Sequence, residues 1–280
     1  MKPQFEFFRR FARNRGALVG SVMILVVIAA ALLAPLLYPT DPMRIVGPPE
    51  LWPSMQSKFA LGTDALGRDI AAMIVHGARA SLLIGIFAAL TATTIGVTVG
   101  ALAAYYGGWV DELVMRGAEV FQTIPALIFL LTIVSILSPT LTHITLAIGF
   151  VSWNGMARLT RAEFLSLRER DFVSACKAMG MGDLRIIVAE ILPNALPPVV
   201  VLSSLTVAGA ILYESAVSFL GQGDPNVASW GRLIGEGRTL IRTSWHICAI
   251  PGAVILVTVL SLNLIGDGLN DALNPKLRDR

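Results

Sequence analysis

The chain has 280 residues, 55% of them hydrophobic and only 15% charged, with a mean hydropathy of +0.70. A soluble domain carries about 25% charged residues, so this apolar excess is too large for one water-soluble core and suits a chain whose outside faces lipid. The net charge of +3 reflects uneven placement of basic residues and not a nucleic-acid-binding patch; Cys176 and Cys248 fall too far apart in the predicted layout for a disulfide, and His76, His143 and His246 lack metal-ligand spacing.

A hydrocarbon core about 30 Å thick needs about 20 apolar residues as helix, and only helices or closed barrels satisfy their backbone in lipid. The apolar runs lack the alternation of barrel strands. The expected fold class is therefore an all-α membrane protein, with six transmembrane helices. Residues 1–16 precede the first span at 17–38, and an outer segment covers 39–80. Five further spans fill 81–265, at about 81–105, 113–137, 141–157, 196–220 and 247–265. The third begins amphipathic and contains Pro125, and the last has Pro251 in its first turns. Residues 266–280 form a tail. On span two, Gly96, Gly100 and Ala104 make a row of small residues that allows close helix approach.

Basic residues orient the chain. Lys2, Arg9, Arg10, Arg13, Arg15, Arg116, Arg158, Arg161, Arg168, Arg170, Lys177, Arg185, Lys276, Arg278 and Arg280 fall on one side, which is predicted to be cytoplasmic. Arg44, Lys58, Arg68, Arg79, Arg232, Arg238 and Arg242 fall on the other. Both termini are then inside. The first span has the basic flank of a signal peptide, but its apolar run is long, Leu32 is too large for the position before a cut after Ala34, and Pro35 would hinder cleavage. An uncleaved helix is expected.

The loop between spans four and five, about 161–194, is long and patterned. Phe172, Ala175, Cys176 and Met179 share one face of a short amphipathic helix. Gly180 and Gly182 can end it with positive φ, Asp183 can cap a second helix, and Leu192-Pro193 is expected to break that helix. The element is too short to span a bilayer, so it packs at the interface or plugs into a partner.

Residues 171–180, with Leu192-Pro193, resemble the E-A-A-x3-G-x9-I-x-L-P loop of binding-protein-dependent ABC importer permeases. Ala175, Gly180, Leu192 and Pro193 match, while Ser174, Cys176 and Glu190 depart from the pattern. Residues 61–69 (LGTDALGRD), 77–82 (GARASL), 214–221 (ESAVSFLG), 229–231 (SWG), 266–269 (GDGL) and 274–278 (NPKLR) are similar, in order, to C-subunit permeases of the dipeptide and oligopeptide type. The resemblance implies a type I ABC importer permease fold with a cytoplasmic coupling helix. It also implies a bacterial inner-membrane location and a second permease subunit as heterodimer partner. Two ATP-binding subunits and a periplasmic or lipid-anchored binding protein complete the expected assembly. No G-x-x-x-x-G-K-[S/T] loop is present, so no cofactor is expected on this chain, with ATP and Mg on the partner subunits. Phe172, Ala175, Cys176, Met179, Gly180 and Asp183 are the expected coupling residues.

Glu214 in span five either lines or braces the path, or fixes a helix end by hydrogen bonding. Asn263 in span six makes an interhelical hydrogen bond or lines the path. Asp64, Gly67, Arg68 and Asp69 form an outer turn, with Arg68 free to pair, that docks the binding protein or only orients span two. Trp230 and Trp245 are placed in an aromatic belt. A proton-coupled transporter with Glu214 as proton carrier is the competing reading, and a non-transporting scaffold a weaker one. The substrate, among dipeptides, longer peptides, glutathione, opines and nickel complexes, is not readable.

Overall fold

The computed structural model describes residues 3–54 and 58–273. Lys2, Lys276, Arg278, Arg280 and the motif at 274–278 lie outside the described residues. A short helix α1 (Pro3–Arg13) leads into α2 (Arg15–Leu37), whose first turn is capped by the Asn14 side chain accepting from Ala17 N at 3.0 Å. After an irregular segment, α3 (Ile70–Tyr106) runs for 37 residues, about 55 Å at 1.5 Å per residue. It begins well before the predicted span because Asp69 accepts from Ala71 N at 2.9 Å and Ile70 and Met73 are buried in the outer cap rather than in lipid.

The predicted third span is two helices, α4 (Gly108–Thr123) and α5 (Ala126–Leu137), bent by 89°. Pro125 stands at the bend, where its missing N–H is harmless in the first turn of α5. Helix α6 (Leu141–Arg168) extends eleven residues past the predicted fourth span, α7 covers Asp171–Ala178, and α8 begins at Asp183.

Leu192-Pro193 does not break the chain's helix. Asp183–Gln222 is continuous: α8 (Asp183–Arg185) passes through a π-helical segment (Ile186–Ile191) into α9 (Leu192–Val217). Leu192 N bonds Ile187 O, one residue further back than in an α-helix. The wider turn absorbs the proline instead of ending at it, and Asn194 Nδ2 donates to Glu190 O at 2.7 Å. A second π segment (Ser218–Gln222) contains Gly221 at φ +85°. Helix α10 (Trp230–Gly237) and α11 (His246–Leu273) complete the fold.

At the centre, α3 and α6 lie side by side and parallel. A Cβ on Gly96 would come within 2.6–2.9 Å of Met156, Trp153 and Ala157, and one on Gly100 within 2.3 Å of Ala157 O. The predicted small-residue row is therefore the seam between these helices. Gly85 of α3 seats Val207 and Ile211 of α9, Gly266 of α11 seats Ser204 of α9, and Gly20 of α2 meets the Ser261 backbone of α11. Four helical runs are long and apolar enough to cross a membrane, and the α4–α5 pair makes a fifth if counted as one bent span.

Candidate functional site

Two ends of the bundle carry the residues singled out in the sequence. At one end, Arg168 Nη1 donates to Ala104 O (2.7 Å) and Tyr105 O (3.3 Å), closing the C-terminus of α3 with a positive charge. Helix α7 follows. Its exit is a Schellman turn: Gly180 N donates to Lys177 O at 3.0 Å and Met181 N to Cys176 O at 3.1 Å, with Gly180 at φ +75°. Nothing lies within 4 Å of a Cβ at Gly180, so the backbone conformation alone selects glycine there.

The inward face of this elbow differs from the expected one. Val173 and Cys176 are buried in a cluster with Ala101, Tyr105, Phe164, Ile186 and Ile191, and Phe172 is half-buried against it. Cys176 belongs to the chain's own core and is not open to a partner. Ala175 and Met179 (72% exposed) do turn outward, joined by Leu184 (73%) and Val188 (53%). Asp183 is not the cap of the second helix, a place taken by Gly182. Its Oδ1 accepts from Tyr105 OH at 2.6 Å, which ties the elbow to the end of α3. Tyr105 and Leu184 were not picked out in the sequence, and Arg168 only as a basic residue that orients the chain. An aromatic at a span's end and an apolar residue beside an acidic one were the available signals.

At the other end, Arg68 is 2% exposed and not free to pair outside the chain. Its Nε donates to Asp64 Oδ2 at 2.6 Å and its guanidinium also bonds Glu236, which accepts from Arg232 Nε at 2.8 Å. Asp64 Oδ1 accepts from Leu66 N and Arg68 N at 2.9 and 2.8 Å. Gly67 sits at φ +82°, and a Cβ there would be 2.1 Å from Gly47 O. Asp69 caps α3. The turn is thus an internal brace binding residues 63–69 to α10.

Glu214 is 2% exposed and Oε1 accepts from Ser218 Oγ and Ser229 Oγ, both at 2.8 Å. It joins the end of α9 to the N-cap of α10, as the helix-fixing reading expects, while its Oε2 is buried with no hydrogen-bond partner among the described residues. Asn263 is exposed on α11 and makes no interhelical hydrogen bond among the described residues. Trp230 is fully buried, donating from Nε1 to Ile74 O at 2.9 Å, so it is core and not belt; Trp245 is exposed.

Residues 96–279 match the family described as binding-protein-dependent transport system inner membrane component. The chain belongs to this permease family. Residues 4–52 match the N-terminal TM domain of oligopeptide transport permease C. Among relatives of the permease, the di/tripeptide transport system permease protein DppC of Pseudomonas aeruginosa is 38% identical, over 99% of this chain and 93% of that one. The dipeptide transport system permease protein DppC of Haemophilus influenzae is 39% identical, over 99% and 96%. The oligopeptide transport system permease protein OppC of the same organism is 37% identical, over 96% and 88%. An inward-facing structure of the MetNI methionine ABC transporter superposes with a TM-score of 0.60 at 19% identity, covering 72% of this chain and 96% of that chain, which speaks to fold alone. The permease is a non-catalytic, multi-pass inner-membrane component that works with ATPase and binding-protein partners.

Proposed function

We propose that the permease forms one half of the translocation path of an ATP-driven importer of di- or oligopeptides, pairing with a second permease. The observation that carries the reading is the elbow. It shows outward apolar residues, Met179 and Leu184, while being anchored inward by Val173, Cys176 and the Tyr105–Asp183 bond. An exposed apolar patch on a rigid mount is suited to docking a partner. Two ATPases carry ATP and Mg, and this chain binds neither. The binding protein docks at the opposite end, over the turn at residues 64–69 and α10. The relatives' peptide substrates support the substrate class.

In this reading α6 is the sixth span. Its face toward α3 is buried, so it needs less apolar surface than a lipid-facing helix, and Leu146 and Phe150 remain on its outer side. The elbow lies on the cytoplasmic side, as the basic residues Arg161, Arg168, Arg170, Lys177 and Arg185 require, and both termini share that side.

The test is purification of the tagged chain from its native membrane in mild detergent, with mass spectrometry of what accompanies it. A second permease and ATP-binding subunits are expected. Met179→Glu with Leu184→Glu is expected to release the ATPase subunits and keep the second permease. A chain that purifies alone, or that keeps its ATPases with both substitutions, overturns the reading.

A further inference from the structure

Between the last turn of α2 and the first turn of α3 lies a cleft of about 520 Å³. Its apolar lining includes Leu37 and Ile45, and its charged lining consists of Asp41, Arg44, Lys58 and Asp69. The importer reading assigns it no ligand.

Three observations define what fits there. The first is its level. Leu37 is both the last residue of α2 and part of the lining. Leu32, Leu36 and Leu37 are exposed along the same end of α2, and Ile45 is exposed beside the cleft. The cleft therefore opens where the hydrocarbon-facing surface stops. The second is its charge. Arg44 and Lys58 are exposed, and neither joins an ion pair among the described residues. Lys58 Nζ stands 5.8 Å from the centre of the Phe59 ring. Two carboxylates share the same walls, which disfavours a purely anionic occupant. The third is Asp69. One of its oxygens caps α3, and burial pushes its carboxyl above the ordinary range against the pull of the backbone donors at Ala71 and Ala72. A cation arriving in the cleft would relieve that cost.

We propose that this cleft binds the headgroup of a phosphatidylethanolamine-type lipid, with its phosphate on Arg44 and Lys58 and its ammonium on Asp41 and Asp69. The acyl chains then run along α2 from Leu37. Such a lipid carries an anion, a primary ammonium and two apolar chains, and the lining of the cleft holds a complement to each. A choline headgroup has no N–H to donate to the carboxylates, and a glycerol headgroup offers them only neutral hydroxyl donors and no cation. Basic side chains at the membrane surface recognise lipid phosphate. Placement in the outer leaflet rests on the proposed orientation, whereas the site itself does not.

The experiment is native mass spectrometry of the permease purified with its partners in mild detergent and titrated with phosphatidylethanolamine, phosphatidylcholine or phosphatidylglycerol. One phosphatidylethanolamine retained per copy of this chain is expected, with a preference of about tenfold over the other two, the size of one or two charge-assisted hydrogen bonds. Arg44→Glu with Lys58→Glu should abolish that retention. Asp41→Asn with Asp69→Asn, which keeps an N-cap side chain on α3, should remove the preference over phosphatidylcholine. Arg44 and Lys58 are exposed, so subunit recovery and melting temperature should not change in the first pair. Retention that is unaffected by the charge reversals, or equal retention of all three lipids by the unmodified complex, overturns the proposal. Partner subunits are scored in the same spectra, so loss of the importer reading and loss of the lipid site are separate outcomes.

Discussion

Replacing Tyr105 with Phe removes the hydroxyl that donates to Asp183 Oδ1 at 2.6 Å and leaves the ring in its cluster. A hydrogen bond to a charged group contributes about 1.5–3 kcal/mol. Asp183 is exposed, so water competes for it, and about 1 kcal/mol is the expected loss. The elbow should stay seated, because Val173 and Ile186 remain fully buried and each such side chain contributes about 1.5–3 kcal/mol. What is lost is the fixed link between the start of α8 and the end of α3, through which motion of the elbow would reach the central helix pair. At about 1 kcal/mol, the ratio of braced to unbraced elbow falls about fivefold. Reconstituted complexes carrying Tyr105→Phe should therefore show normal ATP hydrolysis and less uptake per ATP hydrolysed, by at most about fivefold. Asp183→Asn should behave similarly, and the double substitution should be no worse than either one, since the pair acts as a unit. Strictly additive effects, or an unchanged uptake-to-hydrolysis ratio in Tyr105→Phe, would refute the brace.

Gly180→Val places a β-branched residue at φ +75°, where an ordinary L-residue is disfavoured by about 1–2 kcal/mol; uptake should fall while hydrolysis persists, and Gly180→Asn should be milder. Gly100→Val drives a side chain into Ala157 O, a backbone atom that cannot swing aside, so the melting temperature of the complex should drop by the equivalent of at least about 1–3 kcal/mol; an unchanged melting curve would contradict the α3–α6 seam. Arg68→Met leaves Asp64 buried without its cation, a change that costs about 3–5 kcal/mol for a buried pair, and limited proteolysis should then cut within residues 38–69 before any other part. Glu214→Gln keeps an acceptor for Ser218 and Ser229 and should retain uptake, whereas Glu214→Leu should lose it; loss in the Gln variant alone would restore a protonation role.

Much of this architecture is legible in the residues themselves. The apolar runs gave the helices, Pro125 marked the α4–α5 bend, and Gly96 with Gly100 marked the closest packing. The misses share a physical cause. Helix phase in α7 was ambiguous because the apolar residues at 172, 173, 176 and 179 spread over an arc of about 120°, wider than the stripe that Val173 and Cys176 bury; which part of that arc goes inward is decided by Tyr105 and Ile186, distant in sequence. Leu192-Pro193 read as a break because a π segment leaves no periodic trace. Arg68 read as available because Glu236, its second partner, lies 168 residues away. Trp230 looked interfacial, yet the carbonyl that receives its N–H belongs to α3.

The most direct test of the central claim is uptake by proteoliposomes containing the purified permease with its co-isolated subunits. Labelled dipeptide and binding protein are supplied on one side and ATP on the other. The account predicts accumulation that needs ATP and binding protein together and continues undiminished with a protonophore present. Accumulation driven by an imposed proton gradient without ATP would contradict it.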